Sequence, residues 1–240
     1  MPNLLVEIGN TALKASYAEG LTLGKTFRYQ GERMIEYILI LSEDTRPELL
    51  VVSSVRTINS DEEKQLRSCC SKLILLDSKH TDVLRAYSLP EYLTYDRAAA
   101  LLAVRRMFAG KQCTVFDLGT TISVDFLSAE GEYLGGNVSP GCRTRFKSLN
   151  RYSRSLPLVN TPEQMAPRGN GIQSSIEAGV VSGIVFEIEG YIRETPDNVV
   201  VFTGGDAEYF AKRMESPIFV ISNLVPMGLS SIAQDYDDRK

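Results

Sequence analysis

A single histidine, His80, stands in a chain of 240 residues. That scarcity argues against triads built on imidazole and, with four cysteines that show no C-x-x-C spacing, against a zinc site. Cys69, Cys70, Cys113 and Cys142 read instead as buried or idle thiols of a reducing cytoplasm. Long apolar runs are missing as well. "MIEYILIL" (34–41) is too short to span a bilayer and carries a charge, so no membrane span is expected. The opening "MPNLLVEIGN" has neither a basic region nor a long apolar core, which speaks against a signal peptide. No strong excess of charge exists either: the net charge is −4 and the pI about 5.3, giving no electrostatic reason to bind nucleic acid or an anionic membrane. Chemistry is left to carboxylates, Arg, Lys, backbone amides and metal ions.

What is present is a sentence written twice. "LLVEIGNTALKASY" (4–17) and "TVFDLGTTISVDFL" (114–127) each run from an apolar strand to an acid, one residue, Gly, a small polar residue and Thr, then to a second alternating strand. Around the first copy the pattern gives strands at 4–8, 12–18 and 21–29, a helix at 34–41, a buried strand at 48–55 and a polar helix at 61–71 capped by Ser60. A strand at 72–76 and an Ala/Leu/Arg-rich helix at 96–108 follow. Around the second copy lie strands at 113–118 and 122–127 and a third beginning at 132–134, then a Gly/Pro-rich connection, "GGNVSPG" (135–141), into a helix. A long helix at 171–191 and a strand at 198–206 running into "TGGD" complete the pattern, with a helix after it. Both halves read βββ followed by mixed helix and strand. The fold class is α/β, a duplicated unit divided into 1–112 and 113–240.

The repeated stretch suits a phosphate. A carboxylate at a strand end holds a hydrated cation, glycine lets turn amides face an anion, and the Thr hydroxyl adds a donor. Two such hairpins facing across a cleft would clasp a triphosphate. "FTGGD" (202–206) brings backbone close to a flat ligand such as adenine and sets Asp206 to cap the next helix. Read from the residues alone, Asp96 is a helix N-terminal acid favoured by the macrodipole, and Arg97 a solvated helix charge.

These three elements in this order resemble the acetate and sugar kinase/Hsp70/actin superfamily, with two ribonuclease-H-like (actin-like ATPase) domains and a nucleotide cleft between them. "EIGNTALK" (7–14), "YDRAAALLAV" (95–104), "FDLGTT" (116–121), "LGGNVSPGCRTRFKSL" (134–149), "LPLV" (156–159), "SIEAGVVSGIVFEIEGYI" (175–192) and "FTGGDA" (202–207) narrow the resemblance to type III pantothenate kinase, over nearly the whole chain. The resemblance implies ATP-dependent phosphorylation of pantothenate to 4′-phosphopantothenate, the first step towards coenzyme A, by a cytoplasmic homodimer that uses Mg²⁺ and a monovalent cation, K⁺ or NH₄⁺. It further implies Asp96 as general base. ATP is assigned to Glu7, Gly9, Asn10, Thr11, Lys14, Gly119, Thr120, Gly204 and Gly205, and the substrate to Tyr87, Thr94, Tyr95, Arg97 and Ile172. Asp117 takes the monovalent cation, and Glu7 also faces Mg²⁺.

Three positions depart from the family pattern. Glu7 stands where Asp is usual, Thr94 where Gly is usual, and Ile172 where a substrate-binding Thr is usual, with Ser174 as a neighbouring replacement. The alternative these departures raise is a relative with weak or lost turnover that serves as a nucleotide-binding regulatory or accessory protein. Gly179 and Gly183, four apart on the long helix, suit a dimer interface in which Ile176, Val180 and Ile184 supply the burial.

Overall fold

The computed structural model describes residues 2–9, 11–43 and 45–238, the side chain of Asp237 excepted, so Asn10 of the first hairpin lies outside the described residues. The chain divides into two compact units, Met1–Met107 with Asn223–Lys240, and Phe108–Ser222.

In the first unit, β1 (Asn3–Ile8), β2 (Leu13–Glu19), β3 (Thr22–Tyr29), β4 (Leu49–Ser54) and β5 (Lys72–Leu76) form one sheet in the order β3-β2-β1-β4-β5. β1 is antiparallel to β2 and parallel to β4, and β4 is parallel to β5. Every residue of β4, "LLVVSS", is buried, as expected of a parallel strand covered on both faces. Helices α1 (Met34–Glu43), α2 (Ser60–Ser68), α3 (Asp82–Ala86) and α4 (Tyr95–Met107) belong to this unit.

The second unit writes the same topology again. β6 (Cys113–Leu118), β7 (Thr121–Leu127), β8 (Tyr133–Pro140), β9 (Val199–Thr203) and β10 (Phe219–Val220) pair in the order β10-β9-β6-β7-β8. β6 is antiparallel to β7 and parallel to β9, matching β1 in the first sheet. Helices α5 (Cys142–Tyr152), α6 (Ile172–Glu194) and α7 (Ala207–Ala211) complete it. The duplicated α/β class read from the sequence is thus the observed one, and Glu7 and Asp117 occupy the same position on equivalent strands.

Four expectations are corrected. Residues 135–140 are not a connection but most of β8, paired with β7 from Gly135↔Phe126 to Pro140↔Thr121. An edge strand tolerates glycine, and proline at its end, because half of its backbone groups need no ladder partner. Helix α2 is capped not by Ser60 but by Asn59, whose side chain accepts from the amides of Asp61 and Glu62 while Glu62 accepts from the Asn59 amide. The reciprocal pair satisfies orphan donors that a serine one residue later would not reach. The domain boundary at 112/113 also differs, because α8 (Leu224–Asp237), which the sequence pattern did not single out, packs on α4 and β1 of the first unit. Its face of Leu224, Val225, Leu229, Ile232 and Ala233 is buried, and Ser230 donates to the Gly20 carbonyl at 2.6 Å. The crossing is tight: a Cβ on Gly228 would lie 1.8 Å from the Ala99 carbonyl oxygen. Squeezed between sheet and α8, α4 is buried from Ala98 to Val104, which explains its run of alanine and leucine. Lastly, Ile176, Val180 and Ile184 of α6 are at most 7 % exposed, within the second unit's own core, and are not free to cover a partner.

Candidate active site

In the first unit, hairpin register sets Glu7 of β1 opposite Lys14 of β2, and Lys14 Nζ lies 3.5 Å from Glu7 Oε2. That oxygen is buried and has no hydrogen-bond partner. Burial pushes the Glu7 carboxyl above its ordinary range, Lys14 pulls it back, and the nearby Asp96 pushes it up again; the net direction is up. The influence of Asp96 on Glu7 puts the first turn of α4 beside the first hairpin. Asp96 Oδ1 accepts from the Arg97 amide at 2.9 Å, and both side chains are half-buried. Gly9 donates to the Ala12 carbonyl at 3.0 Å to close the turn, and Thr11 is exposed at its tip.

The substrate residues divide. Thr94 is exposed, and its carbonyl accepts the first α4 bond from Ala98 at 2.9 Å. Tyr95 is only 8 % exposed, and burial raises its phenol. Tyr87 ends α3, and its hydroxyl donates to Asp235 of α8 at 2.7 Å. Tyr87 therefore has a structural partner, one that sequence spacing could not show.

In the second unit, Asp117 sits on β6 between Ser123 of β7 and Thr203 of β9. Its carboxylate packs against Gly204, where an added Cβ would come within 2.4 Å of both Asp117 Oδ1 and the Leu118 carbonyl oxygen, and where φ is +93°. Both steric room and backbone angle require glycine there. The Asp206 amide donates to that Leu118 carbonyl at 2.9 Å, holding the β9–α7 turn against the end of β6. Asp206 does occupy the cap position of α7, but its side chain makes no capping bond; its ψ of 2° departs from the extended cap geometry. A Cβ on exposed Gly205 would meet nothing within 4 Å.

The second hairpin is clamped by residues that the sequence reading left unassigned. The Thr120 carbonyl accepts from the Gly141 amide at 3.0 Å and from Thr144 Oγ1 at 2.6 Å. A Cβ on Gly141 would lie 1.9 Å from the Gly119 carbonyl oxygen, so the glycine of "SPG" admits the start of α5 to the turn. The turns also differ: Ile8 pairs with Leu13 but Leu118 with Ile122, which makes the second loop one residue shorter.

Ile172 is 62 % exposed and borders a groove of about 940 Å³ lined by α5 and α6, with Tyr152, Leu156, Ser175 and Gly179 among its walls. Ser174 is not the replacement donor. Its hydroxyl is engaged with the Asn170 and Gly171 amides at 3.1 Å as the cap of α6. Ser175, one residue further, lines the groove.

Among the described residues no group of three or more His, Cys, Asp or Glu side chains could hold a metal ion. Glu7 Oε2, buried with no hydrogen-bond partner and only the Lys14 ammonium beside it, nevertheless fits a hydrated divalent cation.

Twin acidic hairpins at equivalent strand ends of two like sheets define the actin-like ATPase class. Solved structures agree on the fold. They include a Campylobacter jejuni chain described as a Baf family transcriptional activator (TM-score 0.66, 20 % identity, 98 % of this chain and 99 % of that one). The activator of 2-hydroxyisocaproyl-CoA dehydratase from Clostridium difficile (0.59, 14 %, 100 % and 96 %) and the ROK hexokinase from Thermus thermophilus (0.55, 14 %, 100 % of each) share it as well. Within that class, the chain belongs to the type III pantothenate kinase family, whose model matches residues 3–194. It is 34 % identical over 236 residues to the type III pantothenate kinase of Bacteroides fragilis, covering 96 % of each chain. It is 33 % identical over 241 residues to that of Flavobacterium johnsoniae, covering 97 % of this chain and 96 % of the relative. Membership of an ATP-using kinase family brings with it a divalent metal accompanying ATP.

Proposed function

We propose that the chain transfers the γ-phosphoryl group of ATP to the primary hydroxyl of pantothenate, forming 4′-phosphopantothenate and ADP. The observation that carries the reading is the recurrence of an acid, Glu7 and then Asp117, at equivalent strand ends of the two units within a chain of this family. Thr11 and Lys14 of the first hairpin and Thr120 of the second offer donors for phosphate, while the Gly9 and Gly119 amides close their own turns on Ala12 and Thr121 at 3.0 Å; Gly204 and Gly205 leave backbone free to approach adenosine. Glu7 would hold the Mg²⁺ that accompanies ATP, and the ion would screen the phosphate charge. The Asp117 carboxylate supplies oxygen to a monovalent cation, K⁺ or NH₄⁺.

A primary alcohol is a poor nucleophile at neutral pH, and Asp96 accepts its proton during attack. Arg97 beside it pairs with the pantothenate carboxylate or the transferring charge. The groove at Ile172, with Ser175 rather than Ser174 offering a hydroxyl, takes an apolar part of the substrate at the edge of the dimer contact along α6, where the partner copy forms its outer side. The test is ADP release with ATP, Mg²⁺ and K⁺, with and without pantothenate. Turnover should require pantothenate, and Asp96→Asn should lower kcat by about 10²–10⁴-fold. Pantothenate-independent or absent turnover from folded protein, with NH₄⁺ substituted for K⁺ as well, overturns the assignment.

The reading includes a homodimer formed along α6. Ile172, Ser175, Gly179, Gly183, Phe186 and Gly190 fall on one narrow stripe at 3.6 residues per turn. Ile172 and Phe186 are 62 % and 65 % exposed, and a Cβ on Gly179 or Gly190 would meet nothing within 4 Å. Large apolar side chains flanking glycines let a second helix approach closely. All four cysteines are free, which supports placing the enzyme in the reducing cytoplasm. Among the described residues no helix is long and apolar enough to cross a membrane.

A further inference from the structure

Cys69 and Cys70 close α2, far in sequence from every residue assigned to the reaction. Cys69 is the C-cap, with φ −97° and ψ 0°, and its amide donates to the Leu66 carbonyl. Cys69 Sγ lies 3.1 Å and Cys70 Sγ 3.2 Å from the same acceptor, the Leu66 carbonyl oxygen. Two thiols converging on one oxygen are close to each other. Their environments differ: Cys69 is half-buried, whereas Cys70 is 3 % exposed against the first unit's core. Arg46 reaches the pair from the connection before β4, donating to the Cys70 carbonyl at 3.3 Å.

We propose that Cys69 and Cys70 form a two-electron redox site for hydroperoxides, with Cys69 as the attacking sulfur and Cys70 as the resolving one. The Cys69 thiolate attacks the distal peroxide oxygen. The O–O bond breaks, the leaving alkoxide or hydroxide takes a proton from solvent, and Cys69 becomes a sulfenic acid. Cys70 sulfur then attacks Cys69 sulfur and gives up its proton; water leaves, carrying the hydroxyl of the sulfenic acid, and a disulfide joins the neighbours. Overall the peroxide is reduced to alcohol or water and two thiols are oxidised. A small-molecule dithiol reverses the step.

Electrostatics support the division of labour. Hydrogen bonding from Cys70 lowers the Cys69 thiol to about 6 despite burial, with help from the Ser42 hydroxyl and the Arg46 guanidinium. Cys70 moves the other way, raised first by its bond to the Cys69 sulfur and then by burial. Burial pushes Cys113 up to about 11 and raises Cys142 as well. The chain therefore carries two unreactive thiols as internal references.

Arg67 and Lys72 flank the pair, so trypsin releases "SCCSK" (68–72) as a peptide holding both cysteines and no others. Folded full-length protein is treated with hydrogen peroxide near stoichiometry, blocked with a maleimide and digested. The expected result is loss of two hydrogens from that peptide, restored by dithiothreitol, at a rate at least about tenfold above oxidation of Cys113 or Cys142. In Cys70→Ser, dimedone should trap a sulfenic acid on Cys69; in Cys69→Ser, Cys70 should be no faster than Cys113. Equal rates at all four thiols, or a wild-type peptide that advances to sulfinic acid without forming the disulfide, overturns the proposal. The wild-type measurement stands even if a serine variant fails to fold.

Discussion

Asp77 shows how one buried side chain can organise loops from two strands. It is fully buried at the end of β5 and accepts from the Ile58 amide at 2.8 Å, the Lys79 amide at 3.0 Å and His80 Nδ1 at 2.7 Å. Burial alone would raise its carboxyl, but the Ile58 amide, His80 and the Lys79 amide together outweigh it, and the net direction is down. A carboxylate depressed on folding stabilises above its unfolded value, about 3.9, and loses that contribution as pH falls through the lower folded value. Asp77→Asn should therefore cost about 1.5–3 kcal/mol at neutral pH. The gap from wild type should shrink as pH drops below about 4. Urea midpoints of both proteins from pH 7 downwards check this, and a gap that stays constant would disprove the ionised role. None of these partners was legible in the sequence: the histidine was noticed only for its rarity. Its carboxylate partner is three residues away across a turn whose geometry no spacing rule specifies.

Among elements, the helices divide into those written locally and those written by their neighbours. The strands around both acidic hairpins were readable because alternation, turn glycine and repetition agree there. The positions of Glu7 and Asp117 near strand ends and of Gly204 in its turn were consequently readable from sequence. β8 was misread because its glycines and proline are local turn signals overruled by an edge ladder. Gly141 and Thr144 escaped because their task is to hold a turn that lies twenty or more residues earlier in the chain. α8 escaped because an early proline, Pro226, and Gly228 break its local pattern, and only the crossing over Ala99 explains the glycine. On intrinsic propensity, Gly228→Ala should stabilise a helix by about 1 kcal/mol. Here the added methyl would meet backbone at 1.8 Å, and backbone cannot rotate away as a side chain does. Overpacking should win, for a net loss of about 1–3 kcal/mol read as a lower denaturation midpoint. An unchanged or higher midpoint would show that α4 and α8 separate without cost.

For the molecule as a whole, the dimer proposed along α6 is the feature to test. The sequence suggested an interface there but assigned its burial to Ile176, Val180 and Ile184, which the second unit's core already uses. Four-residue spacing drifts around a helix, so that row marks the inward face, while Phe186 and the glycines mark the outward one. Phe186→Glu should leave the monomer folded, since the side chain is 65 % exposed, and shift a dimer to monomer in light scattering at micromolar concentration. Ile184→Ala, a core truncation, should instead lower stability by about 2–5 kcal/mol with the assembly state of folded protein retained. A wild-type protein that is monomeric throughout would remove the dimer from the functional reading.

The path of the chain has a consequence for its synthesis. The first unit is interrupted by the second: it stops at Met107 and resumes only at Asn223. On a ribosome, all of Phe108–Ser222 emerges before the residues that cover α4 have been made. All residues of the contiguous unit are in hand once Ser222 is made, whereas the earlier-born one must wait with the face of Ala99 and its neighbours uncovered. Birth order and completion order are therefore reversed, and the nascent chain carries an exposed apolar helix for the time needed to translate the intervening residues.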